Sequence, residues 1–171
     1  MKKYEFTGET KEIRLLFRTA TLHRIRATVA FGIVEVGDLG GWIEKEENLS
    51  HEGKAWVWGN AKVCGDAKVC GDAKVWGNAE VCGDAKVFSA SHVLVIGAIG
   101  SRNDFTTFYR DKDNEITVKC GCFLGKIDRF LEKVTQTHGD SKYALVYRAA
   151  VEVAKLQIDL SGEAPKDADE E

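Results

Sequence analysis

Between Ala55 and Val87 the chain repeats every six residues and carries a second period of eighteen. The six units read AWVWGN, AKVCGD, AKVCGD, AKVWGN, AEVCGD and AKVFSA. Valine recurs at Val57, Val63, Val69, Val75, Val81 and Val87, and again at Val93. Alanine stands two residues before each unit's valine, from Ala55 to Ala85. The segment VWGNA at 57–61 returns at 75–79. If six residues make one side and three sides make one circuit, the pattern predicts a three-sided parallel β-solenoid of about three coils.

The unit has a physical logic. In Ala-Lys-Val, strand alternation puts alanine and valine on one face and lysine on the other. Valine fills the interior, and alanine sits near a corner that has no room for more. Gly-Asn or Gly-Asp then turns the chain, since glycine tolerates positive φ and Asn and Asp follow it in tolerance. Successive coils pair through parallel backbone hydrogen bonds about 4.8 Å apart. The eighteen-residue step predicts neighbours: Trp58 under Trp76, Cys64 under Cys82, Cys70 under Phe88, Lys62 beside Glu80, and Lys68 facing Lys86. One side is therefore marked by tryptophan and the others mainly by cysteine.

Bulk composition bounds the rest. A chain of 171 residues with 44% hydrophobic content supports a real core in one or two domains. A net charge of −3 predicts no strong attraction to DNA or anionic membrane. No apolar run approaches the roughly 18 residues that span a bilayer. The start, MKKYEFTGETKEIR, has no apolar signal core, so the expected location is the cytoplasm. Five cysteines, three of them in the repeat, read as free thiols in a reducing compartment.

The chain divides into an N-terminal β cap (1–48), the solenoid (49–105), a C-terminal hairpin with two helices (106–160) and a disordered acidic tail (161–171). In the cap, KYEF, IRLLF and HRIRATVAF read as strands. In the hairpin, TTFYR and ITVKCGCF flank a DKDNE turn. The first helix shows Ile127, Phe130, Leu131 and Val134 at helical spacing. The second, from about Ser141 to Leu160, carries a stripe of Tyr143, Val146, Tyr147, Ala150, Val153 and Leu156.

The hexads resemble the bacterial transferase hexapeptide-repeat family, and the match covers about a third of the chain. That resemblance implies a left-handed β-helix and a homotrimer about an axis parallel to the stack. GDLGGWIEKEENLSHEG at 37–53, CGCFLGKIDRF and HGDSKY resemble small hexapeptide-repeat proteins of phage and prophage genomes of gut bacteria. A fold likeness by itself does not establish an activity.

Four chemistries merit weighing. Acyltransferases of the resembled family use an imidazole as general base, and His92, outward on the third coil, is the candidate here. However, 55–99 lacks the inserted loop such enzymes use to build a pocket, and a plain surface histidine is the favoured reading. Cys120 and Cys122 form C-x-C with only the distant His138 to help, which falls short of the paired spacing of structural zinc. No metal or cofactor is expected. A Cys64–Cys82 disulfide is disfavoured by the reducing compartment. Trp58, Trp76 and Phe88 follow valine, where they turn outward or sit at corners, and such apolar strips mark interfaces. Finally, Arg102, Tyr109, Arg110 and Lys119 suit a small anionic or nucleotide-like ligand, by bidentate phosphate contact and base stacking; a solvated basic patch with a packed tyrosine is the bland and favoured alternative.

The resulting expectation is a non-catalytic trimeric binding or assembly protein, phage-encoded, sequestering a nucleotide-type host defence signal in intersubunit pockets. An acyl-CoA-dependent acyltransferase and a purely structural scaffold are the alternatives. One stability test follows from the hexad itself: Ala67→Leu should overpack its corner and cost about 1–3 kcal/mol in chemical denaturation.

Overall fold

The computed structural model describes residues 1–162. The acidic tail expected over 161–171 lies, beyond residue 162, outside the described residues. The N-terminal region pairs β1 (Tyr4–Arg14) antiparallel with β2 (Thr19–Ala27), and β2 antiparallel with β3 (Leu39–Ile43). The buried residues of β2 change phase midway: Leu22 packs with Cys64 and Cys82, while Ile25 and Ala27 join the hexad core.

The hexads give six two-residue strands: β4 (Trp56–Val57), β5 (Lys62–Val63), β6 (Lys68–Val69), β7 (Lys74–Val75), β8 (Glu80–Val81) and β9 (Lys86–Val87). They pair in parallel at the eighteen-residue step: Trp56 with Lys74, Lys62 with Glu80, and Lys68 with Lys86. Every valine from Val57 to Val87 and every alanine from Ala55 to Ala85 is buried.

The three-sided left-handed parallel β-helix is nevertheless not what forms. The hexad strands are divided among three small sheets, and no closed solenoid results. β5 and β8 extend the antiparallel β1–β2–β3 into a mixed five-stranded sheet, while β4–β7 and β6–β9 remain isolated pairs. The reason lies in the unit. The Gly-Asn or Gly-Asp turn consumes most of each hexad, so only two residues are extended, and each pair is too narrow to carry a continuous face.

The register also ends sooner than the valine pattern implies. Val93, expected to continue it to Ile99, instead starts β10 (Val93–Ile99). This strand runs antiparallel to β11 (Asp104–Arg110), followed by β12 (Ile116–Cys120) and β13 (Phe123–Lys126) in a four-stranded meander. Thus the expected hairpin is real but forms the middle of a larger sheet.

Helices α1 (Ile127–His138) and α2 (Lys142–Gln157) pack on that meander. Phe130 and Val134 of α1 are buried, at the predicted spacing. The stripe of α2 is rotated from the predicted one. Ala144, Tyr147, Ala150, Val151 and Ala154 face the core, while Tyr143, Val153 and Leu156 are exposed. Alanines let α2 approach closely, and this outweighs the larger side chains on its other face.

The turns generate a paired prediction. Gly71 and Gly77 both have positive φ, +62° and +61°. A Cβ at Gly77 meets nothing, whereas one at Gly71 would stand 2.6 Å from the Phe88 carbonyl oxygen. Gly77→Ala should cost about 1–2 kcal/mol from backbone strain alone. Gly71→Ala should cost a further ~1–3 kcal/mol, seen as a larger fall in denaturation midpoint.

Candidate functional site

The tryptophan side assembles as the eighteen-residue step predicts. The Trp58 and Trp76 rings stack with centroids 4.9 Å apart and planes 8° from parallel. Trp76 is 47% exposed. Beside the pair lies a cleft of about 370 Å³, lined by Phe31, Ile33, Val34, Trp58, Lys54 and Lys74 among others. The Trp58 Nε1 is buried there without a hydrogen-bond partner. Sequence reasoning missed Phe31 and Ile33, because the loop that carries them has no periodicity to give its position away. Phe88 does not join the tryptophans. It follows β9 on another sheet, packed edge-on against His92 at 4.3 Å.

His92 closes a short 3-10 turn, Ala90–His92, and is 3% exposed rather than on the surface. Its Nδ1 accepts the Phe88 backbone N–H at 3.3 Å. Burial, and then the Arg110 charge, hold its imidazole below the ordinary range. Its accepting nitrogen is occupied and its ring is enclosed, so it lacks the reach to a substrate proton that a general base requires.

Tyr109 and Arg110 are adjacent on β11 and therefore point to opposite faces. The Tyr109 hydroxyl donates to the Cys82 carbonyl at 2.7 Å, in full burial that pushes its phenol upward. The Arg110 guanidinium lies 4.8 Å over the Phe88 ring and donates to the carbonyls of Ser161 at 3.2 Å and Gly162 at 2.6 Å. Lys119 is buried, 3.3 Å from Glu80, and donates to the Gly121 carbonyl. Glu80 also meets Lys62 at 3.4 Å. Arg102, Tyr109, Arg110 and Lys119 are thus not brought to one place, and three of the four are engaged internally.

None of the five cysteines is in a disulfide. Cys64 and Cys82 are buried together; a hydrogen bond with Cys64, and then burial, push the Cys82 thiol up. Cys120 ends β12, and Cys122 is exposed beyond the turn at Gly121. Among the described residues no three His, Cys, Asp or Glu side chains are grouped to hold a metal.

A second cleft, of about 320 Å³, opens between the β12–β13 turn and the helices. Arg102, Lys133 and His138 line it above the aromatic rings of Phe123, Phe130 and Tyr147. Of the predicted ligand residues only Arg102 reaches it. Lys133 lies on α1 off its apolar stripe and His138 at the stripe's C-terminal end, and no spacing in the sequence links them to the Arg102 turn.

The meander that carries this cleft is pinned by a buried carboxylate. The Asp111 side chain is fully enclosed. It accepts from Lys126 at 2.7 Å, the Thr117 hydroxyl at 2.7 Å, and the backbone N–H groups of Asp113 at 2.9 Å and Glu115 at 3.1 Å. Burial alone would raise its carboxyl; these donors outweigh that and hold it below its ordinary value.

In comparisons with known proteins no family model matches the sequence, and no curated protein matches it. Among the described residues no helix is long and apolar enough to cross a membrane.

Asp111 supplies the pH test. A depressed folded-state pKa means stability that is present above the unfolded value, near 3.8, and is lost as pH falls through it toward the folded value. Thermal midpoints should fall in acid more steeply for the native chain than for Asp111→Asn, which does not titrate. At neutral pH, Asp111→Ala should cost about 1–3 kcal/mol, because Thr117 and two backbone N–H groups lose a buried acceptor while Lys126 keeps Asp113 and Glu115.

Proposed function

We propose that this protein is a non-catalytic binding and assembly protein. It associates with copies of itself through the tryptophan side and holds a small anionic, nucleotide-type ligand. The homotrimer implied by the repeat's resemblance is one form of such an assembly. The observation that carries the reading is the stacked Trp58–Trp76 pair, with Trp76 half in water beside an apolar cleft. Ile33 and Val36, 67% and 66% exposed, continue the apolar surface nearby. Aromatic groups concentrated on one face, with lysines at the border, have the composition of an interface rather than of ordinary surface. The enclosure of His92 speaks against the acyltransferase alternative.

Light scattering after size exclusion tests the assembly. The native chain should run as a multiple of the single-chain mass, and Trp76→Ser should shift it to monomer while leaving the circular dichroism spectrum unchanged. A native monomer at high micromolar concentration would overturn self-association. Absence of any nucleotide-induced thermal stabilisation would overturn the ligand half and leave a scaffold.

A further inference from the structure

We propose that the cleft between the β12–β13 turn and the two helices binds a planar ring bearing a phosphate, within a single copy of the chain. This deepens the ligand half of the reading above but moves the ligand from between copies to a site each copy owns.

The first support is unsatisfied charge. Arg18, Arg24, Arg26 and Arg148 are each within 4 Å of a carboxylate: Glu44, Glu9, Glu5 and Asp140. Arg102 and Lys133 have no ion pair or hydrogen bond among the described residues; Arg14 and Arg129 share that lack but do not line this concavity. The position of Arg102 is built. Its Nη1 lies 2.9 Å from where a Cβ of Gly121 would stand, so the guanidinium rests on a surface that only glycine leaves open. A guanidinium so placed, with a lysine across the cleft, suits phosphate oxygens.

The second support is the floor. Phe130 packs against Phe123 at 5.4 Å and Tyr147 at 5.7 Å, and His138 stacks on Tyr147 at 5.7 Å with planes 27° apart. Phe130 and Tyr147 are enclosed in this packing, so the half-buried Phe123 and His138 are the rings left to meet another ring. One carboxylate, Asp104, also lines the cleft; it accepts its neighbour's backbone N–H at 2.7 Å and has capacity left for a ring amine or sugar hydroxyl. The volume, about 320 Å³, is at the lower end of the roughly 300–1,000 Å³ of small-molecule sites. A purely apolar ligand would bury Arg102 and Lys133 without partners. Free phosphate would leave Phe123 and His138 uncovered.

Calorimetric titration of the full chain with AMP, GMP, CMP and UMP, beside adenosine and inorganic phosphate, tests the proposal. At least one mononucleotide should bind saturably, and more tightly than either adenosine or phosphate. The exposed pair Arg102→Ala and Lys133→Ala should each weaken it about tenfold. Backbone NMR shifts should cluster at 101–104, 120–123 and 133–138. Trp76→Ser should retain binding. Loss in Trp76→Ser with no effect of Arg102→Ala or Lys133→Ala would overturn this site while leaving a ligand between copies. No saturable binding of any mononucleotide would overturn both.

Discussion

Backbone hydrogen bonds between hexads three units apart carry this molecule. The amides of Trp56, Lys62 and Lys68 donate to the carbonyls of Ala73, Ala79 and Ala85 at 2.9–3.1 Å. Those of Trp58, Cys64 and Cys70 donate to Val75, Val81 and Val87 at 2.8–2.9 Å. A two-residue strand has no stability by itself; stacked in register, these strands close a core of alanine and valine. Both flanking regions attach to the same ladder. On one side Trp42 and Glu44 donate to Ala61 and Val63, adding β3. On the other, the Tyr109 hydroxyl reaches Cys82, and Lys112 donates to the Asp84 carbonyl.

That attachment explains why so many chemically suggestive residues are committed to structure. Tyr109 binds the hexads to the meander. Arg110 and His92 fill the space between Phe88 and the chain near Gly162. Lys119 answers Glu80 on β8. Each buried polar group needs a partner, and each of these has found one inside the molecule. Among what is left outward are the Trp58–Trp76 pair on one surface, and Arg102 with Lys133 lining the second cleft on another.

Much of the local pairing was legible in the sequence. A strict period of eighteen places Trp58 on Trp76, Lys62 beside Glu80 and Cys64 against Cys82, because side chains in parallel register stack directly. The α1 stripe was legible for a similar reason. The α2 stripe was not, since that helix has apolar residues on two faces and the spacing cannot say which one is covered. The candidate ligand group failed at Tyr109 and Arg110, where strand alternation separates neighbours that composition had joined. The second cleft was legible only at Arg102. Its other members come from the Gly121 turn and from α1 and α2, and nothing in the chain's order states that these helices fold back over that turn.

Read alone, the sequence determines the hexad strands, their turns and their partners at eighteen residues, because valine burial and glycine turns are local requirements repeated without change. The tertiary structure decided how those strands were shared among sheets. Extension by the antiparallel β1–β3 on one side, and departure of the chain into β10 after Val93, turned a regular array into one element of a mixed architecture. It also decided which charges remained free. A side chain's partner depends on what packs against it from distant segments, and that information is absent from any repeat.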